Sequence, residues 1–254
     1  MFFDTHAHVN DKRFDEDRET FINSLSENNI YAFTEVAYDM KSSYGAVELA
    51  EKYDRVYAAV GTHPADCDTM TEDALEELRT LCAHDKVVAL GEIGLDYYYD
   101  DNPHRDVQRE WFEKQINLAK DIDIPIIVHS RDAMEDTINI LKATNACDGI
   151  IHCFSGSVES AKILLDMGFY ISIAGPVTFK NARGLLDVAR CIPIDRLLIE
   201  TDSPYLTPEP YRGKRNCPVY VRYVCEKIAQ LRNMSVEELA QITKNNAKTV
   251  YRLK

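Results

Sequence analysis

Eight short apolar runs punctuate the chain at near-regular intervals, with helix-patterned stretches between them. The runs are FFDTHAHV, IYAFTEVA, VYAAVGTH, VVALGEIG, IPIIVHS, GIIHCF, FYISIAG and RLLIETD. All are rich in valine, isoleucine and aromatic residues, and most are too continuously apolar to be strands with one wet face. The intervening segments, such as TEDALEELRTLCAH, RDVQREWFEKQINLAK and RDAMEDTINILKAT, carry apolar residues at helical spacing. Strands buried on both faces and joined by single helices pair in parallel, because a parallel neighbour is reached only through a crossover. A doubly wound open sheet shares this alternation; the count of eight selects a closed (β/α)8 TIM barrel. After the eighth run, PVYVRYVCEKIAQLR and SVEELAQITKNNAKTVYRL predict a C-terminal helical extension. No linker or low-complexity segment divides the chain, so residues 1–254 read as one domain.

The polar residues that interrupt the pattern fall at the downstream ends of the strands, where barrels of this kind build active sites. His6 and His8 end the first run, His63 follows the third in VGTHP, and Glu92 ends the fourth in LGEIG. His129 ends the fifth, His152 the sixth, and Asp202 follows the eighth in IETDSP. Five of the seven histidines and two acids thus converge on one mouth, whereas His84 and His104 sit in helix-end or loop contexts and read as surface residues. Imidazoles with a carboxylate suit transition metals, and a central carboxylate can bridge two ions. Glu92 lies midway in strand order and is the expected bridge. This puts His6, His8, Glu92 and Asp202 on one ion and Glu92, His129 and His152 on the other.

Asp202 also has the position of a general base toward water activated by the ions, and the two roles are compatible. Asp4, early in the first strand, is expected to accept a hydrogen bond from a ligand imidazole. His63 is left with three roles: substrate contact, metal ligand or proton donor to a leaving group. Arg212, Lys214 and Arg215 in the loop YRGKRN, and Arg131 in VHSRD, are candidate phosphate contacts, since both cation types bind phosphate through charge-assisted hydrogen bonds. The alternative for the loop is a plain solvated surface.

Composition sets outer limits. A formal net charge of −13 disfavours a broad surface for coating nucleic acid while leaving room for a local grip on a few phosphates. The seven cysteines are scattered without a C-x-x-C pair, which fits reduced thiols and neither a disulfide framework nor a thiolate zinc site. No apolar stretch reaches membrane-spanning length and the first residues lack signal-peptide character, so a cytoplasmic location and no membrane partner are expected.

Taken together, DTHAH, VGTHP, GEIGLDYY, VHSRD, HCFSG, ETDSPYL, RGKRNCP and NNAKTVY resemble, in order and over essentially the whole chain, the TatD-type metal-dependent deoxyribonucleases. The resemblance implies an amidohydrolase-like barrel that hydrolyses DNA phosphodiesters, often as a 3′ to 5′ exonuclease on single strands. It places the metal positions on His6, His8, Glu92, His129, His152 and Asp202. Where family members often have Cys-His-Leu-Asp after the first histidine, this chain has Ala7-His8-Val9-Asn10, which keeps the ligand and changes its surroundings. Family nucleases are commonly described as magnesium-dependent, whereas four imidazoles favour zinc, manganese or iron; two divalent ions drawn from magnesium, zinc and manganese are expected. A second enzymatic reading keeps the site and changes the bond, to deacylation of a D-aminoacyl-tRNA or hydrolysis of a small amide or ester. A barrel kept only as a binding scaffold predicts lost ligands, and none is missing.

Overall fold

The computed structural model describes all 254 residues. Eight strands follow one another around a single sheet: β1 (Phe2–Ala7), β2 (Ile30–Val36), β3 (Val56–Val60), β4 (Val87–Asp96), β5 (Ile126–Arg131), β6 (Gly149–Ile151), β7 (Tyr170–Ile173) and β8 (Leu197–Ile199). Every neighbouring pair is parallel. The sheet closes on itself just past β8. Ser203 bridges Ala7, the His8 amide donates to the Ser203 carbonyl at 2.7 Å, and the Asp202 amide donates to the His6 carbonyl at 2.9 Å. The (β/α)8 TIM barrel expected from the eight apolar runs is therefore the observed fold.

Crossover helices fill each interval: α1 (Arg18–Asn23), α2 (Met40–Lys52), α3 (Glu72–Cys82), α4 (Arg105–Asp121), α5 (Met134–Ala143), α6 (Val158–Asp166) and α7 (Arg183–Cys191). Side-chain caps start several of them, satisfying amides that a first helical turn leaves unbonded. Asp39 accepts the Ser42 amide at 2.6 Å, Thr71 the Ala74 amide at 3.1 Å and Ser157 the Ser160 amide at 3.2 Å. No helix is long and apolar enough to cross a membrane.

Two apolar cores result. The larger lies between sheet and helices and accounts for the near-continuous apolar character of the strands. The smaller fills the lumen with residues from every strand, including Phe3, Ala32, Ala59, Val88, Ile127, Ile150, Tyr170 and Leu198. The C-terminal extension, α8 (Val221–Arg232) and α9 (Val236–Val250), completes that inner core. Ala247, Val250 and Tyr251 pack into it, and the buried Tyr251 hydroxyl donates to the Thr5 carbonyl at 2.8 Å. The extension plugs the lumen at the end where the strands begin, which leaves the opposite mouth for chemistry.

Candidate metal centre

At that mouth the strand ends bring six side chains within bonding reach of one another. His6 Nε2 lies 3.2 Å from His8 Nε2 and 3.3 Å from Glu92 Oε2; Asp202 Oδ1 stands 3.4 Å from His8 Nε2 and 3.8 Å from His6 Nε2. The other Glu92 oxygen, Oε1, is 2.8 Å from His129 Nδ1 and 2.7 Å from His152 Nε2, and those two nitrogens are 3.1 Å apart. Ligand atoms bound to one cation at roughly 2.1 Å sit about 3.0 to 3.4 Å from each other. Most of the separations lie in or near that range. Imidazole nitrogens aimed at each other also cannot all donate and accept among themselves, whereas a cation would satisfy them. The donor set therefore fits divalent ions in two adjoining clusters, His6–His8–Glu92 and Glu92–His129–His152, with Asp202 completing the first.

Behind the clusters, ring nitrogens of His8 and His129 are hydrogen-bonded, His152 Nδ1 faces a carboxylate, and His6 Nδ1 is buried without a partner. His8 Nδ1 is 2.7 Å from the Val36 carbonyl, so its proton sits there and Nε2 is free to ligate. His129 Nε2 is 3.3 Å from Asp96 Oδ2, and His152 Nδ1 is 3.3 Å from Glu200 Oε1, which also accepts the Cys153 amide at 2.7 Å. Glu35 accepts the amides of Val9 and Asn10 at 2.7 and 3.0 Å and so fixes the turn after His8. Asp96, Glu200 and Glu35 were not singled out in the sequence. Asp96 follows Glu92 by four residues within β4, a spacing that hints at a shared face without saying what the acid holds, and Glu200 lies just past the end of β8.

Asp4 corrects an expectation. Its carboxylate accepts from the Thr201 amide and hydroxyl, at 2.9 and 2.5 Å, and from the His6 main-chain amide at 3.3 Å, rather than from any imidazole. It ties β1 to the segment after β8, and burial pushes its carboxyl well above the ordinary range.

Charge in the centre follows from this packing. Burial alone would raise Glu92, yet the imidazoles of His152 and His6, with hydrogen bonds from His129 and His152, hold it well below its ordinary value. Burial opposes protonation of His8, but Asp202 and Glu92 outweigh it and raise His8 to about 9. His152 and His129 are raised in the same way, against burial, by Glu92 with Glu200 and by Asp96 with Glu92. His6 goes the other way, lowered by burial and by His152. Asp202, despite burial, is lowered by its contacts with His8 and His6.

His63 stands beside this set, with its ring centroid 4.5 Å from that of His129 and Nε2 3.9 Å from Glu92 Oε1. Its Nδ1 accepts the Ala65 amide at 3.0 Å, so the proton of the neutral ring sits on Nε2, facing the centre. Burial, followed by His129, lowers its pKa to about 3.

A cavity of about 690 Å³ opens over the centre, walled by His8, His63, Glu92, His129, His152 and Asp202 and, further out, by Arg131. The three basic loop residues do not line it. Arg215 is paired with Asp17 at 2.6 and 2.8 Å and lies over Phe14, Arg212 lies over Phe179, and Lys214 is exposed near Tyr211.

A closed parallel barrel carrying a binuclear divalent-metal centre at its downstream mouth defines a metal-dependent hydrolase of the amidohydrolase-like group. Within that class the chain belongs to the TatD-related DNase family, whose profile matches residues 3–252. It is 50% identical, over the full length of both chains, to the uncharacterized metal-dependent hydrolase YabD of Bacillus subtilis. The solved structure of YjjV, a TatD homolog from Escherichia coli, superposes with a TM-score of 0.93 at 32% identity, covering 100% of this chain and 98% of that one. A TatD-family hydrolase from Entamoeba histolytica gives 0.88 at 25% identity, with 100% and 98% covered.

Proposed function

We propose that the protein removes nucleotides from the 3′ ends of single-stranded DNA. One ion is assigned to His6, His8, Glu92 and Asp202, the other to Glu92, His129 and His152. The observation that carries this reading is the division of Glu92, each of whose oxygens faces a separate pair of imidazoles. When bound, two divalent ions supply positive charge to a phosphodiester and lower the pKa of the attacking water. Asp202 takes that water's proton: its carboxylate is kept ionised by its histidine neighbours and borders the cavity. His63 serves as a hydrogen-bond donor through Nε2 to a phosphate or leaving oxygen, because a ring whose Nδ1 accepts an amide cannot ligate through a protonated Nε2.

Arg131 borders the cavity with no carboxylate partner within ion-pair distance, which favours it as the first phosphate contact. Arg212, Lys214 and Arg215 would meet only a strand that continues beyond the cavity. A cavity of about 690 Å³ in a chain of net charge −13 suits a terminal segment better than a long duplex. The test is metal-stripped protein reloaded with magnesium, manganese or zinc and given end-labelled single-stranded DNA and charged tRNA in parallel. Stepwise shortening from the 3′ end is expected. Shortening from the 5′ end, or deacylation of tRNA with intact DNA, would overturn the reading.

A further inference from the structure

Of the eight large apolar side chains left exposed on the molecule, Tyr38, Tyr99, Tyr205 and Leu206 line the cavity, and Tyr98 adjoins it against Tyr99 and Arg131. The tyrosines are 42%, 53%, 51% and 48% exposed, in residue order. They form two groups. Tyr98 and Tyr99 follow β4 and meet edge to face, with ring centroids 4.8 Å apart. Arg131, at the end of β5, lies 3.7 Å from the Tyr98 centroid and donates to the Tyr99 hydroxyl at 3.3 Å. Tyr38 follows β2 and Tyr205 follows β8, with rings 6.1 and 6.2 Å from that of His8, and Arg13 lies 4.3 Å from the Tyr205 centroid. In a closed sheet of eight strands β5 is four strands from β1 in either direction, so the two groups face each other across the mouth. The metal centre lies between them.

We propose that these tyrosine pairs are stacking platforms for the bases on either side of the phosphodiester that is cut, so that the site takes unpaired nucleotides only. This rests on the nuclease reading and adds to it the features that select the substrate. Exposed aromatic faces bind bases without regard to sequence, because every base has a π face. Arg131, spread over Tyr98, adds cation–π attraction while its edge stays available to a phosphate oxygen. A base inside a duplex has both faces covered by its neighbours and reaches such a ring only by leaving the stack. Selection for unpaired ends then follows from stacking, with no contact to a base edge needed.

A base-by-ring cycle tests this on the metal-loaded, full-length protein. Single-stranded DNA carrying an abasic sugar at the 3′-terminal or the penultimate position is compared with the intact strand. The comparison is made in the unaltered protein, in Tyr98→Leu/Tyr99→Leu and in Tyr38→Leu/Tyr205→Leu, with metal content measured for each. In the unaltered protein each missing base is expected to lower kcat/KM about 5- to 100-fold. Each leucine pair should abolish the penalty at one position and keep it at the other, and the matching phenylalanine pairs should restore it. Equal abasic penalties in all variants, or none in the unaltered protein, would overturn the platforms while leaving the nuclease reading intact. No cleavage of single-stranded DNA by the unaltered protein would overturn both.

Discussion

Glu200→Gln separates the support behind the proposed metal ligands from the ligands themselves. The Glu200 side chain is wholly buried, with Oε1 shared between the Cys153 amide at 2.7 Å and His152 Nδ1 at 3.3 Å, and with Oε2 unpartnered. Glutamine preserves the shape. Its carbonyl oxygen can keep the Cys153 amide and its NH2 group can take the unpartnered position, so what His152 loses is a charged acceptor behind its ring. A hydrogen bond to a charged group contributes about 1.5 to 3 kcal/mol and a neutral one about 1 kcal/mol. The difference of about 0.5 to 2 kcal/mol is roughly 2- to 30-fold in affinity for the ion on His152, overlapping the range of about 10- to 100-fold for loss of such supports. The ion on His6 and His8 should keep its affinity. Stability of the metal-free protein should hold or rise, because an isosteric neutral group avoids the cost of burying a charge. Calorimetric metal titration fitted to two sites, with thermal unfolding in chelator, measures both. Equal weakening of the two sites, or a metal-free protein destabilised by more than about 2 kcal/mol, would refute the reasoning and make Glu200 a structural anchor.

Asp202→Asn should lower turnover on single-stranded DNA by about 10²- to 10⁴-fold with a much smaller change in substrate affinity, as steady-state kinetics with direct binding would record. Metal uptake at pH 7 should release protons. His8 is raised to about 9 and His152 well above its ordinary value, so these rings are protonated in the metal-free centre and ligation requires them neutral. Affinity should accordingly rise with pH up to about 9 and fall below it, as calorimetry in buffers of different ionisation enthalpy would detect. Tyr251→Phe should cost about 1 to 2 kcal/mol in denaturant unfolding, because it strands the buried carbonyl of the peptide that joins Thr5 to His6.

The eight strands were legible because each is buried on both faces and so interrupts the helical pattern with a continuous apolar run. The convergence of the His and Glu side chains on one mouth was legible because polar groups at the ends of such runs have few structural reasons to be there. Asp96 and Glu200 were not, since a buried acid on a strand face reads the same whether it holds an imidazole or caps a loop; only the fold puts His129 and His152 beside them. The basic loop shows the converse limit. Three cations within four residues suggested a common phosphate grip, yet Arg215 is turned away to Asp17 and Arg212 to Phe179, because sequence proximity does not fix side-chain direction. Nor did the helical pattern of the last segment show that Tyr251 ends it inside the lumen.

Anomalous diffraction from crystals of the manganese-loaded protein tests the central claim most directly. Two peaks are predicted about 3.5 to 4 Å apart, one on either side of Glu92, with His6 and His8 at the first and His129 and His152 at the second. A single peak at saturating manganese, or a second peak centred on His63, Asp96 and His129 instead, would contradict it.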